Sequence, residues 1–402
     1  MIVEKAGYQG FYLPELGVAM DGVHPDARFT FVTHAHADHM HRNASVVTIG
    51  SAPTLDLMAL RGFRGGRVAL PFLEPVESGD LWEWMEEAGN VQNVQKLKGA
   101  RVLKGARVLK GARVLRGARM SKESGEGPMN PFRVTLYPAG HILGSAMVYI
   151  ESELGSLLYT GDCRTPPSPA TEGFSAPSSV DTLITEATFS LPIYRWEPHE
   201  VLASRVREFA EDALREDRTP VFLAYNLGKA QEIMQMLAPM DHPMMIHGAG
   251  FPLCEVYERY GFPLGRYETY RRESCEGKIL IAPGSALGSG FASNVKRKRI
   301  AYCSGWATLE ARQSQLTVDA LIPLSDHLDF YALLEFVEQL SPKRTIVTHS
   351  PNADVVLHYL AEMGIHAEVG LSKNGLSENE LGNDRLSEAE ARVAENTKKG
   401  SG

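Results

Sequence analysis

The sequence predicts a layered α/β fold into which a second α/β unit, built on a parallel sheet, is inserted. Three observations predict it. The chain opens with short apolar segments separated by Gly, Pro and Asp turns, which then alternate with helical ones. From about residue 197 strand and helix patterns alternate plainly, as a parallel sheet requires. Apolar strands also end repeatedly in turns that carry residues of metal-ligating type.

The first such strand, Phe29-Thr30-Phe31-Val32, runs directly into Thr33-His34-Ala35-His36-Ala37-Asp38-His39. Imidazoles and a carboxylate this close would repel one another as a packing solution. They are, however, the nitrogen and oxygen donors that a zinc ion prefers. A helix is expected over 53–60. Two further strand ends carry His141, in Ala139-Gly140-His141-Ile142-Leu143-Gly144, and Asp162, in Tyr159-Thr160-Gly161-Asp162. Alone, each reads as a cap or a turn former. Beside the first motif they supply about the number of donors that a two-metal site needs.

The segment 88–130 fits neither unit. It carries the hexad Leu-Lys-Gly-Ala-Arg-Val at 97–102, 103–108 and 109–114, then Leu-Arg-Gly-Ala-Arg-Met at 115–120. A six-residue period drifts around a helix of about 3.6 residues per turn and mixes the faces of a strand, so no ordinary element is specified. The expectation is a mobile basic loop from an expanded tandem repeat. Coils of a hexapeptide solenoid are the second reading. A nucleic-acid clamp is the third, since every charge from Lys96 to Arg119 is positive.

Downstream, helices are expected over 201–214 and 228–237, with strands over 221–225, 244–246 and 278–281. A helix over 331–340 and a strand over 344–348 then bring the chain back toward the first unit. The tail 372–402, rich in Glu, Ser, Asn and Lys, reads as disordered.

With 402 residues and 44% hydrophobic content the chain is long enough for two cores. No apolar stretch approaches the roughly 18 residues of a membrane span, and no signal pattern opens the chain, so no membrane contact and a cytoplasmic location are expected. Cys163, Cys254, Cys275 and Cys303 lack CxxC spacing and read as reduced, buried thiols.

The run His34-x-His36-x-Asp38-His39, followed by separate His141 and Asp162, resembles the signature of the metallo-β-lactamase superfamily. The resemblance implies a four-layer αββα sandwich and two Zn²⁺ ions. His34, His36 and His141 would hold the first ion, Asp38 and His39 the second, and Asp162 would bridge them. Asp21 matches an aspartate that supports the histidine loop from behind; as residues alone it reads equally as a turn aspartate.

Three later passages are similar to the β-CASP branch, the nucleases: Asp181-Thr182-Leu183-Ile184-Thr185-Glu186, Pro323-Leu324-Ser325-Asp326-His327 and Thr345-Ile346-Val347-Thr348-His349. They follow the family's order together with Ser304-Gly305-Trp306. Residues 185–196 (TEATFSLPIYRW) and 222–231 (FLAYNLGKAQ) resemble bacterial exonuclease-like proteins associated with DNA ligases and mRNA 3′-end-processing-like relatives. The likeness covers roughly 8–87 and 131–370. The chain departs from it at Ala187, where relatives have serine, and at Ser350-Pro351, where many have glycine, which alters the turn carrying His349.

The implied organisation is a metallo-β-lactamase domain over 1–196, a β-CASP cap over 197–310 and a return segment over 311–371. The implied activity is a zinc-dependent phosphodiesterase, an exo- or endonuclease hydrolysing RNA or DNA by a two-metal hydroxide mechanism in nucleic-acid processing or repair. Asp38 would help hold the nucleophile, His327 would act as general acid with Glu186 stabilising its protonated form, and His349 would complete the second zinc site. Products would carry a 5′-phosphate and a 3′-hydroxyl, and a DNA ligase or helicase is the implied partner.

The formal net charge of −8 argues against indiscriminate polyanion binding, yet metal ions supply the largest local positive charges at a scissile phosphate. Lys229, at a strand-to-helix turn, reads as a substrate contact or as a solvated helix lysine; Ser285 is a similar candidate. Two other readings stay open: a small-molecule metallo-hydrolase of the same superfamily, against which the cap speaks, and an inactive nucleic-acid-binding scaffold. Histidine at 349 points to RNA, whereas the ligase-associated likeness points to DNA.

Overall fold

The first sheet grows from strands that carry the loops of the histidine motif. In the computed structural model, which describes residues 1–7, 10–89, 107–108, 130–286, 290–308 and 317–370, it comprises β1 (Glu4–Ala6), β2 (Gly10–Leu13), β3 (Val18–Met20), β4 (Phe29–Phe31), β5 (Thr48–Ser51) and β6 (Arg67–Leu70) in chain order. Helix α1 (Ala52–Leu60) starts where the Ser51 hydroxyl accepts from the Thr54 N–H and Pro53 sits in the first turn, both favourable at a helix start. β3, β4 and β5 are parallel, so the turns after Met20, Phe31 and Ser51 leave the same edge.

The second sheet begins with β7 (Val76–Glu77), which leads into α2 (Ser78–Gly89). Within the hexads, Arg107–Val108 forms a short β8 that pairs antiparallel with Val68 and Ala69 on the edge of β6. The repeat pattern specified no element there; the open backbone of β6 supplies the partner. The rest of the hexad region and the tail 372–402 lie outside the described residues.

The second sheet continues with β9 (Phe132–Pro138), β10 (Ala146–Ser152), β11 (Gly155–Tyr159) and β12 (Thr182–Glu186). Next come α3 (His199–Arg215), β13 (Thr219–Leu223), α4 (Lys229–Leu237), β14 (Met244–Ile246), α5 (Phe251–Arg259), β15 (Tyr267–Thr269), β16 (Ile279–Ala282), β17 (Lys298–Cys303) and β18 (Ala320–Ile322), whose strands make the third sheet. The chain returns through α6 (Phe330–Leu340), β19 (Arg344–Thr348), α7 (Ala353–Glu362) and β20 (Ala367–Val369), and β19 inserts beside β12 in the second sheet.

The first two sheets face each other across one core. Alternating residues such as Phe29, Phe31, Ile49 and Val68 from one side meet Val134, Leu136, Val148 and Tyr159 from the other. Helices α6 and α7 cover the outer face of the second sheet through Leu333, Phe336, Val337 and Leu360. Helix α1 covers the first sheet and belongs to the same buried cluster as α3, α4 and α5. This makes an α/β/β/α layering with the third sheet's helices continuous with one outer layer. A fully buried Leu55 or Met58 in that seam contributes about 1.5–3 kcal/mol.

The third sheet runs β15-β14-β16-β13-β17-β18 and is parallel throughout. Its last strand lies beyond the boundary expected at 310, so the sheet draws its edge from the returning chain. The four cysteines are free and buried. No described helix is long and apolar enough to cross a membrane.

Candidate metal centre

The ligand-type residues meet because every loop that carries them leaves one edge of the two-sheet sandwich. The Ala146 N–H donates to the Thr33 carbonyl, which ties the end of β4 to the start of β10 across the sheets. β11, β12 and β19 are parallel neighbours, so Asp162, Glu186 and His349 follow adjacent strand ends. Gly161 takes a left-handed φ of 53°, and a Cβ there would stand 2.4 Å from the Thr33 hydroxyl oxygen, so only glycine lets Asp162 approach the histidine loop.

His34, His36, His141 and Asp162 form a buried group whose ligand atoms lie within 4.8 Å of one another. The outward nitrogens are each bonded. His34 Nδ1 meets the Thr33 hydroxyl at 3.0 Å, whose own proton goes to Asp21; His36 Nε2 meets the Leu227 carbonyl at 3.1 Å; His141 Nδ1 meets the Asp326 carbonyl at 2.7 Å. Because carbonyl oxygens only accept, His36 and His141 carry their protons on the outside and turn bare lone pairs inward. His36 Nδ1 then stands 3.2 Å from His34 Nε2 and 3.0 Å from His141 Nε2.

Burial first, then the neighbouring histidine charges, pushes His36 and His141 well below the ordinary imidazole range, so protons do not fill the gap. Converging lone pairs without a proton repel unless a cation lies between them. Asp162 Oδ2, 3.4 Å from His34 Nε2 and 3.7 Å from His141 Nε2, adds the negative charge. Burial opposes that charge, but His39 and then His327 outweigh it and hold the Asp162 carboxyl well below its usual value. The donor set fits a divalent metal.

A second group, His39, Asp162 and His349, adjoins the first through the shared carboxylate. His39 Nδ1 lies 2.8 Å from Asp21 Oδ2 and its Nε2 lies 3.4 Å from Asp162 Oδ2. Burial lowers the basicity of His39, yet the two carboxylates outweigh it and raise its pKa well above the ordinary value. Asp21 is itself fixed by the Thr33 N–H at 2.7 Å and the Tyr159 hydroxyl at 3.0 Å. It therefore sits behind the histidine loop, under His39, in a left-handed conformation of φ 50°.

His349 carries two ring nitrogens that are buried and have no hydrogen-bond partner. It too is left-handed, at φ 49°, a conformation costing about 1–3 kcal/mol for a residue with a side chain. Its ring centroid stands 5.0 Å from that of His39. Asp38 lies apart from the tight groups: its side chain is 56% exposed, with Oδ2 3.8 Å from His39 Nε2.

Beside the shared aspartate stands a histidine of different character. His327 Nδ1 lies 2.9 Å from both oxygens of Glu186, whose carboxylate also accepts from the N–H groups of Cys163 and Thr188. Burial works against charge on His327, but Glu186 and then Asp162 overcome it and raise its pKa to about 9. Imidazoles pushed in opposite directions within one site are suited to different tasks.

Lys229 points inward to an ion pair with the fully buried Asp326, so it is not a solvated helix lysine. Ser285 is exposed on the short helical turn after β16. The spacing of the motifs did not reveal Asp326, the Leu227 carbonyl, Tyr159 or the buried Arg164–Glu232 pair at 2.8 Å. Of these, only Asp326 had a signal, as an acid adjoining His327.

No model of a protein family matches the chain. Among curated proteins it is similar to a probable DNA ligase of Opitutus terrae, 30% identical over 361 residues, covering 89% of this chain and 30% of that one. It is similar to the 5′ exonuclease Apollo of Gallus gallus, 27% identical over 215 residues, 52% of this chain and 44% of that one. An RNase J-like protein of Methanocaldococcus jannaschii is 30% identical over 135 residues, 31% of each chain. The matches thus span less than half the length of these relatives.

Proposed function

Because the chain belongs to the β-CASP branch of the metallo-β-lactamase superfamily, we propose that it is a metal-dependent nuclease hydrolysing phosphodiester bonds of RNA or DNA with two zinc ions. The observation that carries this reading is the pairing of an inward-facing, unprotonated imidazole cluster with a protonated histidine held by a glutamate. Residues 1–196 and 323–371 would make the metal-binding domain and 197–322, through the last strand β18, the cap, with the cleft between them receiving the strand.

His34, His36 and His141 would hold one zinc, His39, His349 and Asp38 the other, and Asp162 both. When bound, the two ions supply Lewis acidity, drawing the pKa of water toward neutrality and offsetting the charge that builds on phosphorus. Asp38 and Asp162 orient the attacking water. Glu186 fixes the Nδ1–H of His327 and leaves Nε2 as the atom that passes a proton to the departing oxygen. Glu186 is 1% exposed and held by the Cys163 N–H, so the pair is fixed before substrate arrives.

The 361-residue likeness to a ligase-named protein supports DNA as substrate and a DNA ligase as partner; the RNase likeness supports RNA. Zinc-loaded protein incubated with end-labelled single- and double-stranded RNA and DNA tests both. Cleavage leaving 5′-phosphate and 3′-hydroxyl ends is expected. Turnover of a lactone or thioester with every nucleic acid left intact would instead make the chain a small-molecule hydrolase.

A further inference from the structure

Helix α4 belongs to the third sheet, yet its first turn and the residues leading into it touch three separate loops of the metal centre. The Leu227 carbonyl accepts from His36 Nε2–H, a contact between residues 191 apart in sequence. Lys229 pairs with Asp326, whose own carbonyl accepts from His141 Nδ1–H. Glu232 takes the guanidinium of Arg164, two residues past Asp162, at 2.8 and 2.9 Å, with both side chains buried.

The turn is built to hold this pose. Gln231, fully buried, accepts from the Gly228 N–H at 2.8 Å and donates to the Asn226 carbonyl at 2.9 Å, locking the loop from inside. Gly228 has φ 98°, and a Cβ there would lie 2.4 Å from Ile142 Cγ2 and 3.4 Å from Asp326 Oδ2. Glycine is required both by the conformation and by the close approach to the His141 loop. Asp326 Oδ2 has no hydrogen-bond partner, so Lys229 is the main compensation for that buried charge.

We propose that the first turn of α4 is a clasp that couples seating of the cap on the metal domain to occupancy of the three-histidine metal site, with Lys229 as its positioning residue. The inference rests on the two-metal reading above. A seated clasp keeps the proton of His36 on Nε2 and so keeps Nδ1 open to the metal; an unseated cap leaves the ring free to turn or exchange tautomers. By linkage, a metal that binds the seated state better stabilises seating by the same factor. Partners of ligating histidines of this kind are typically worth about 10–100-fold in metal affinity.

The test uses the full chain with zinc alone as probe. Hydrogen–deuterium exchange is followed over residues 219–237 with and without zinc, and the affinity of each site is measured by chelator competition in the unmodified protein, Lys229→Met and Lys229→Arg. Zinc should slow exchange of the amides at 225–232 by at least about tenfold. Lys229→Met should weaken the three-histidine site by about 10–100-fold, leave the site at His39 and His349 within about threefold, and be rescued by Lys229→Arg. A purely structural lysine would lower the melting temperature and leave zinc affinity alone.

Unchanged exchange on zinc addition, or a folded Lys229→Met that binds zinc as tightly as the parent, overturns the clasp. Two bound zinc equivalents with neither effect would remove the clasp and keep the metal reading. An unmodified protein that takes up no zinc would remove both. If Lys229→Met does not fold, the exchange comparison on the unmodified protein decides alone.

Discussion

Glu186 and His327, 141 residues apart in sequence, meet at 2.9 Å through both carboxylate oxygens, directly beside the aspartate shared by the two histidine groups. The pair is an acid held ready beside two buried histidines of the three-histidine group, His36 and His141, that are held neutral. That contrast separates protonating a leaving group from holding a metal.

If His327 delivers a proton, His327→Ala should retain both metals and slow the chemical step by roughly 10²–10⁴-fold on a nucleic acid. An aryl phosphodiester, whose leaving group needs little protonation, should be spared much of that loss. Single-turnover rates on the two substrates, with metal content measured alongside, give the comparison. Equal loss on both, or loss of zinc from the variant, would make His327 a structural or ligand residue.

The same pair predicts a pH dependence in the metal-free protein. His327 has a folded pKa of about 9 against an ordinary value of 6.5, raised by Glu186 and Asp162 over the opposing effect of burial. The stabilisation is therefore complete below about pH 6.5 and is lost as the pH rises through about 9. The melting-temperature difference between the parent and Glu186→Gln should shrink across that window. A difference that stays flat from about pH 6 to 10 would contradict the assignment.

His39 is bonded to Asp21 on one nitrogen and faces Asp162 on the other. Asp21→Asn removes the charge that orients the ring and should weaken the second metal by about 10–100-fold while sparing the three-histidine site. Since His39 carries a proton when metal-free, filling its site should also release one. Calorimetry in buffers of different ionisation enthalpy reads both, and buffer-independent heats for the second zinc would count against this picture.

His349 offers two unpartnered buried nitrogens beside His39, so His349→Ala should lower occupancy of the second site. Excess zinc should return part of the activity, in contrast to His327→Ala, which no amount of zinc should rescue. Activity that zinc leaves untouched would class His349 with the packing residues.

Much of this was legible in the chain because strand periodicity and donor spacing are local. The strand expected over 344–348 is β19 to the residue, and α1, α3, α4 and α6 begin within two residues of the expected positions. The spacing of 34, 36 and 39 marks a ligand loop because few other constraints repay it. The outer supports were not legible, since the carbonyls of Leu227 and Asp326 carry no residue signature and reach the histidines only through tertiary contact. Lys229 misled for a similar reason: a lysine at a helix start looks exposed until the buried Asp326 beneath it is known. The exposure of Asp38 likewise depends on how the turn after His36 is wound.

The proposed nuclease activity depends on the converging donors holding two catalytic metals. The most direct measurement titrates zinc into metal-free protein and follows, in one series, the bound equivalents and the cleavage of an end-labelled nucleic acid. About two equivalents should bind at saturation, with activity rising as the second binds, complete loss on chelation and recovery on zinc addition. Full cleavage by protein stripped of metal, or a plateau at one equivalent with full activity, would contradict it.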